Sequence, residues 1–183
     1  MRAAVVLVLA LAACGISSES TAHRVDPEEV PFDLLDPAPT TSEPAGGRDV
    51  TIYLVRDDRL VERERTAPRG IEQFDAVLLL EAGPTEEEAD ESLSSSLPEG
   101  QIAGLAVGNG RADVDLRSSF ADLRARDQAL AIAQMVFTLT ADPDVDRVGF
   151  TLDGEPIEVP RGDGVLTTDP LSRDDFPGLL VPG

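Results

Sequence analysis

The stretch that decides the fold is residues 125–159, "ARDQALAIAQMVFTLTADPDVDRVGFTLDGEPIEV". In its first half Ala129, Ile132, Ala133, Val136 and Leu139 recur at the three- and four-residue spacing of an amphipathic helix, and Pro143 stands where that helix must stop. The second half changes period. Val148, Phe150 and Leu152 alternate along a strand, Asp153-Gly154 has the chemistry of a tight hairpin turn, and the chain returns through Ile157 and Val159.

Working outward, "QIAGLAVGNGRADVDLRSS" (101–119) predicts two strands around Gly108-Asn109-Gly110. In the second, Ala112, Val114 and Leu116 alternate strictly with Asp113, Asp115 and Arg117, which gives one buried and one wet face. Before it, "GIEQFDAVLLLEAGP" (70–84) places Ile71, Phe74, Val77 and Leu78 on one helical face, extended by Leu80 and ended by Gly83-Pro84. Thr85 and Glu88 form a capping-box pattern for a short acidic helical turn. The first periodic segment, "DVTIYLVRDDRLVERER" (49–65), alternates Val50, Ile52 and Leu54 with Thr51 and Tyr53, turns at Asp57-Asp58 and continues as a more polar strand. The order ββ, α, ββ, α, ββ predicts an α+β fold, a mainly antiparallel sheet with two main helices packed on one face.

What precedes this unit has a different character. Residues 1–13 join Arg2 to an apolar run and Ala12-Ala13, as a secretion signal does. The run falls short of the roughly 20 apolar residues that span a bilayer. Leu11-Ala12-Ala13-Cys14 matches the bacterial lipobox, so Cys14 is the expected lipid attachment site and the bilayer an expected partner. A thioether-linked diacylglycerol supplies two acyl chains at about 0.8 kcal/mol per buried methylene, enough for stable anchoring. Residues 14–48, rich in Ser, Thr, Pro, Gly and acid, are expected to be a disordered tether whose ends lie roughly 30 Å apart. The globular domain is expected over 49–176, with 177–183 as a flexible C-terminal tail.

Composition excludes much. The chain has 35 acidic and 15 basic residues, a formal net charge of -20, and no lysine at all. Such a charge opposes phosphate backbones, so nucleic acid is not an expected partner. Without lysine there is no Walker A phosphate ligand, no Schiff base and no Ser-Lys pair. The single histidine, His23, and the single cysteine both precede the globular region, so no Ser-His-Asp triad, Cys-His pair or His/Cys zinc site is expected within it. Carboxylate chemistry remains, but with no Trp and 4% aromatic residues a sugar-stacking platform is hard to build. No enzyme activity and no cofactor are expected.

Several strings taken together, "LLEAGPTEEEAD", "SLPEG", "RADVDLRSSF", "ALAIAQMVFTLTADPDVDRVGF", "LDGEPI" and "PLSRDDF", resemble the GerMN domain of spore-germination and sporulation proteins, from about Asp49 to Phe176. The resemblance implies a bacterial envelope lipoprotein, of an actinobacterial kind, and the lysine-free composition looks like the product of a GC-rich bacterial genome. It carries over no catalytic residues. Gly83-Pro84-Thr85, Gln134, Thr138 and Thr140 match the family pattern and are read as structural.

Sharper sites give way to plainer readings. "DPDVDRVGFTLD" (142–153) spaces its aspartates like a calcium loop, but Arg147 stands where an EF-hand needs Gly and Asp153 where it needs Glu. "GLAVGNGR" has no helix behind it to hold a phosphate, and Arg161-Gly162-Asp163 is turn chemistry. The run Glu86, Glu87, Glu88, Asp90, Glu91 reads as a solvated helix face, open to a basic partner. The expected function is a lipid-anchored, extracytoplasmic, non-catalytic interaction module that binds another envelope protein. The alternatives are a solute- or wall-ligand-binding lipoprotein, and a carboxylate-dependent glycan hydrolase.

Overall fold

The computed structural model describes residues 47–67 and 72–181. The signal segment, Cys14, the tether to residue 46 and Ile71 lie outside the described residues. The elements run β1 (Arg48–Arg56), β2 (Arg59–Ala67), α1 (Glu72–Glu81), α2 (Glu86–Asp90), β3 (Ile102–Gly108), β4 (Arg111–Leu116), α3 (Ala125–Leu139), β5 (Arg147–Leu152), β6 (Glu155–Pro156), β7 (Val159–Pro160) and β8 (Leu166–Thr167). Two 3-10 turns, Ser118–Asp122 and Arg173–Asp175, complete them. The class is α+β, and four of the five strand pairings are antiparallel.

The three predicted hairpin turns close as their residues dictate. Asp57-Asp58, Asn109-Gly110 and Asp153-Gly154 all have positive φ at both positions, which Asp, Asn and Gly tolerate and which matches the twist of the flanking strands. Hydrogen bonding divides the strands into a β1-β2 pair, a β3-β4-β5-β6 sheet and a β7-β8 pair. β4 and β5 run parallel because α3 lies between them as a crossover, the connection that parallel neighbours require.

α3 is the centre of the molecule. All ten residues from Leu130 to Leu139 are buried, so the predicted stripe is only part of an interior that surrounds the helix, while Ala129 is half-exposed. It packs on α1, β1, β5, β7 and the Arg173–Asp175 turn. Ile132, Met135 and Val136 are fully enclosed, each contributing about 1.5–3 kcal/mol on burial.

Three sequence expectations need correction. β1 does not alternate through its second half, where Ile52, Tyr53, Leu54 and Val55 are all buried. Tyr53 sits edge-on to Phe137 at 5.4 Å with the Arg173 guanidinium 5.3 Å above its ring. On α1, Leu78 is 43% exposed, while Ala76, Val77 and Leu80 form the buried face. Four consecutive apolar residues are wider than one helical stripe, so one must meet water. Finally, the described part of the segment expected as a flexible tail is tied down at 179–181: Leu60 N–H donates to Leu179 O, and Val181 N–H donates to Leu60 O, both at 2.9 Å. Half-buried Leu179 and Val181 pack on the core, which offsets the entropy of ordering them.

Candidate functional site

The polar residues inside the fold close its exposed strand edges. The side of β1 away from β2 has no strand neighbour, so its backbone groups need other partners. Thr138 Oγ1 accepts from Tyr53 N–H at 3.1 Å, and Gln134 Nε2 donates to Tyr53 O at 2.8 Å. Gln134 Oε1 accepts from Ser96 N–H at 2.7 Å, so one fully buried amide joins α3, β1 and the loop before β3. One residue pair further along, Val55 and Ser94 exchange both backbone bonds, at 2.8 and 2.9 Å. Gln134 and Thr138 on α3, and Thr140 just past its end, thus all bind groups of the fold itself. Thr140 Oγ1 donates to Val136 O at 2.7 Å and accepts from Arg173 Nε at 2.9 Å. Arg173 also donates to Phe137 O at 2.9 Å, placing a cation at the helix C-terminus, where the dipole favours one.

A second cluster joins β2 to α2. The predicted capping box is present: Glu88 N–H donates to Thr85 Oγ1 at 3.3 Å, and Thr85 N–H to Glu88 Oε2 at 2.8 Å. Arg65 grips both oxygens of the same carboxylate through Nη2 and Nε, and donates to Gly83 O at 2.9 Å. Glu88 is thus buried and paired, which removes it from the predicted solvated face; Glu86, Glu87, Asp90 and Glu91 stay exposed. Burial alone would raise the Glu88 carboxyl, but the Arg65 and Thr85 hydrogen bonds outweigh it and hold the group below the usual carboxylate range.

Asp115, on the wet face of β4, accepts from Thr151 Oγ1 at 2.7 Å and Gly154 N–H at 2.8 Å. Those bonds hold its carboxyl low and fix the Asp153-Gly154 turn. Tyr53 moves the other way: burial, then its 2.9 Å hydrogen bond to Glu62, raise the phenol. A proton donor at neutral pH needs a raised carboxyl, the reverse of what Glu88 and Asp115 have.

The remaining sequence candidates fall on turns. Asp142 accepts from Asp144 N–H at 2.9 Å and from Gln73 Nε2 at 3.1 Å, so its oxygens bind the connection together. Among the described residues, no group of three or more His, Cys, Asp or Glu side chains is placed to hold a metal ion. Arg161-Gly162-Asp163 forms the β7-β8 turn, closed by Arg161 N–H to Val165 O at 2.9 Å. Sequence reasoning missed Glu81, which accepts from Ile102 N–H at 2.8 Å, along with Arg65 and Arg173. Only the 172–176 segment carried a local signal, since Ser172 and Asp175 have capping-box spacing.

Two open grooves stand out among the described residues. One, of about 310 Å³, lies beside the start of β1 and the end of α3, lined by Val50, Ala76, Leu139 and Asp142 among others. The other, of about 530 Å³, runs between the start of α3 and the β7-β8 hairpin, where Leu130, Leu166, Phe176 and Leu179 give it an apolar wall. Among the described residues Glu158 is the one carboxylate in its lining, whereas glycoside hydrolysis uses a pair.

These features define a small α+β domain built around one central helix, most of whose interior polar groups join its own elements, while the buried Asp75 Oδ2 has no hydrogen-bond partner among the described residues. Residues 42–158 match the family model described as Germane, sporulation and spore germination, and the chain belongs to that family. Among solved structures it is similar to the tandem GerMN domains of the sporulation protein GerM from Bacillus subtilis, with 24% identity and a TM-score of 0.55, covering 70% of this chain and 47% of that one. It is likewise similar to the first GerMN domain of the same protein, with 23% identity and a TM-score of 0.53, covering 69% of this chain and 98% of that one. These likenesses establish the fold; the chain spans about half the length of the tandem structure. A search of curated proteins finds no significant match.

Proposed function

We propose that this chain is a lipoprotein anchored through Cys14 to the outer face of the cell membrane, where its GerMN-type domain binds another envelope protein without catalysing a reaction. The observation that carries this reading is the commitment of most interior and turn polar groups, to which the buried Asp75 Oδ2 is an exception. Gln134, Thr138, Glu81, Glu88, Asp115 and Asp142 each accept or donate within the domain, and both Glu88 and Asp115 are held low. Binding can use surface, and the net charge of -20 suits a basic partner. The lipobox from Leu11 to Cys14 supports the anchor, and no helix among the described residues is long and apolar enough to cross a membrane.

Two experiments test the two halves. Cys14→Ala should abolish incorporation of labelled fatty acid; unchanged labelling would remove the anchor. For the partner, the absence of lysine makes carboxyl activation the suitable chemistry: in intact cells it should couple this chain to lysines of a neighbour. A specific heteromeric product that weakens when Glu86, Glu87 and Asp90 become Gln, Gln and Asn is expected. Glu88 must be left in place, because its loss would disturb α2. Products with only random envelope proteins would sink the reading.

A second reading has its own support. The groove of about 530 Å³ falls within the range of small-molecule sites, roughly 300–1,000 Å³. A wall-glycan fragment that raises the melting temperature in proportion to its concentration would favour ligand binding, and turnover of that fragment would favour hydrolysis.

A further inference from the structure

We infer that the groove between the start of α3 and the β7-β8 hairpin binds a short zwitterionic peptide with apolar side chains, holding its terminal carboxylate on Arg161 and its terminal amine on Glu158. This rests on the ligand-binding reading above and names the class of ligand.

Unused hydrogen-bonding capacity marks the two ends of the site. Arg161 meets Asp175 at 3.4 Å and Asp163 at 3.8 Å, yet its side chain forms no hydrogen bond among the described residues, and its buried Nε is left without a partner. A guanidinium carries five N–H donors in a fork that matches a carboxylate. Asp175 is not free to turn and supply one, because its Oδ2 accepts from Ser172 N–H at 2.8 Å and from Ser172 Oγ at 3.1 Å. Glu158 is exposed, and its carboxylate has neither a hydrogen bond nor an ion pair among the described residues. Both residues line the same groove. Its other arginine differs from them, since Arg126 is bonded to Asp58.

Spacing and wall then select the ligand. Glu158 and Arg161 flank the two residues of β7, so at about 3.3 Å per residue their backbones stand roughly 10 Å apart. The amine and carboxylate of an extended peptide of two or three residues are separated by a similar length. Between those ends the wall is apolar, made by Leu130, Phe176 and half-buried Leu179, with Leu166 55% exposed at its rim. The groove's volume of about 530 Å³ is that of a small-molecule site. Two other ligand classes fit less well. A simple anion would approach a chain of net charge -20, a repulsion that a zwitterion, with no net charge, escapes. A sugar would find no open ring to stack on, since Phe176 is 3% exposed, and would lay hydroxyls against leucines that cannot bond them.

The test uses the purified full chain in phospholipid nanodiscs, titrated calorimetrically with trileucine, with empty nanodiscs as the blank for partition into lipid. Saturable binding of one peptide per chain is expected. Amidating the peptide's carboxylate should weaken binding roughly tenfold, equivalent to about 1.4 kcal/mol. Arg161→Gln should do the same, and the amidated peptide should bind wild type and Arg161→Gln alike, as a shared contact demands. Acetylating the amine and Glu158→Gln form the matching pair at the other end. Because Glu158 is exposed and without partners among the described residues, its variant covers the case in which loss of Arg161 disturbs the β7-β8 hairpin. Trileucine binding that ignores both end groups and both variants, or equal binding of triserine, would overturn the assignment. If a wall-glycan fragment raises the melting temperature while trileucine does not bind, the ligand-binding reading stands and the peptide class falls; if neither binds, both fall.

Discussion

The chain meets one chemical problem twice, at Tyr53 on β1 and at Val107 on β3, and solves it once. Each residue sits on a strand whose outer side faces no neighbouring strand. At Tyr53 the backbone N–H and C=O are taken by Thr138 and Gln134 from the central helix, deep in the core, where an unpaired group costs about 1–3 kcal/mol. At Val107 the side chain is 38% exposed, and water can serve the backbone at little cost. An edge inside the fold must therefore be closed by its own chain, whereas one at the surface can be left to water.

The largest effect should come from breaking the closed region outright. Val136 is fully enclosed, and Val136→Asp would bury an unpaired carboxylate at a cost of several kcal/mol, against a typical total stability of about 5–15. No cooperative thermal transition is expected by circular dichroism. A wild-type melting temperature would mean that α3 is not the core.

Next comes the edge closure itself. Gln134→Leu keeps the volume but strands Tyr53 O and Ser96 N–H, so a loss of roughly 3 kcal/mol is expected in urea unfolding. Thr138→Val strands only Tyr53 N–H and should cost about half as much. Equal, negligible losses would show that water reaches this edge, and the contrast with β3 would disappear.

How far these contrasts were readable in the sequence differs by residue. The turns at Asp57-Asp58, Asn109-Gly110 and Asp153-Gly154 were legible, because a local backbone need selects the residue type. The Thr85–Glu88 box was legible for the same reason. Burial of Tyr53 was not, since what covers it, Phe137 and Arg173, lies far along the chain. Glu88 looked like its acidic neighbours because nothing local marks the approach of Arg65 from another strand. The pairing of 179–181 with Leu60 left no periodic trace in three residues. In the candidate site the structural character of Gln134, Thr138 and Thr140 was legible through the family pattern, but not the atoms they bind. The open edge of β3 was hidden, because an uncharged strand reads the same whether it lies at the centre or the rim of a sheet.

A smaller effect concerns acid. Arg65 and Thr85 hold the Glu88 carboxyl below its unfolded value, so its contribution is fully present above the unfolded pKa, roughly 4.3, and is lost as pH falls through the lower folded value. Asp115 has the same sign. Wild-type stability should therefore decline below about pH 4, and Glu88→Gln, less stable at neutral pH, should show a shallower decline over that range. Parallel curves for the two proteins would mean that the Arg65 pair does not depend on the charge of Glu88.

The smallest expected effect is the most discriminating. Val107→Lys alters a half-exposed side chain at the rim of the sheet and leaves the backbone bonds of β3 to β4 intact. Its long side chain can lie along Leu105 and carry the charge into water, so stability should stay within about 0.5 kcal/mol of wild type, well below the cost of Thr138→Val. If Val107→Lys destabilises as much as Thr138→Val, the β3 edge is packed against something in the free chain, and it is not an open surface.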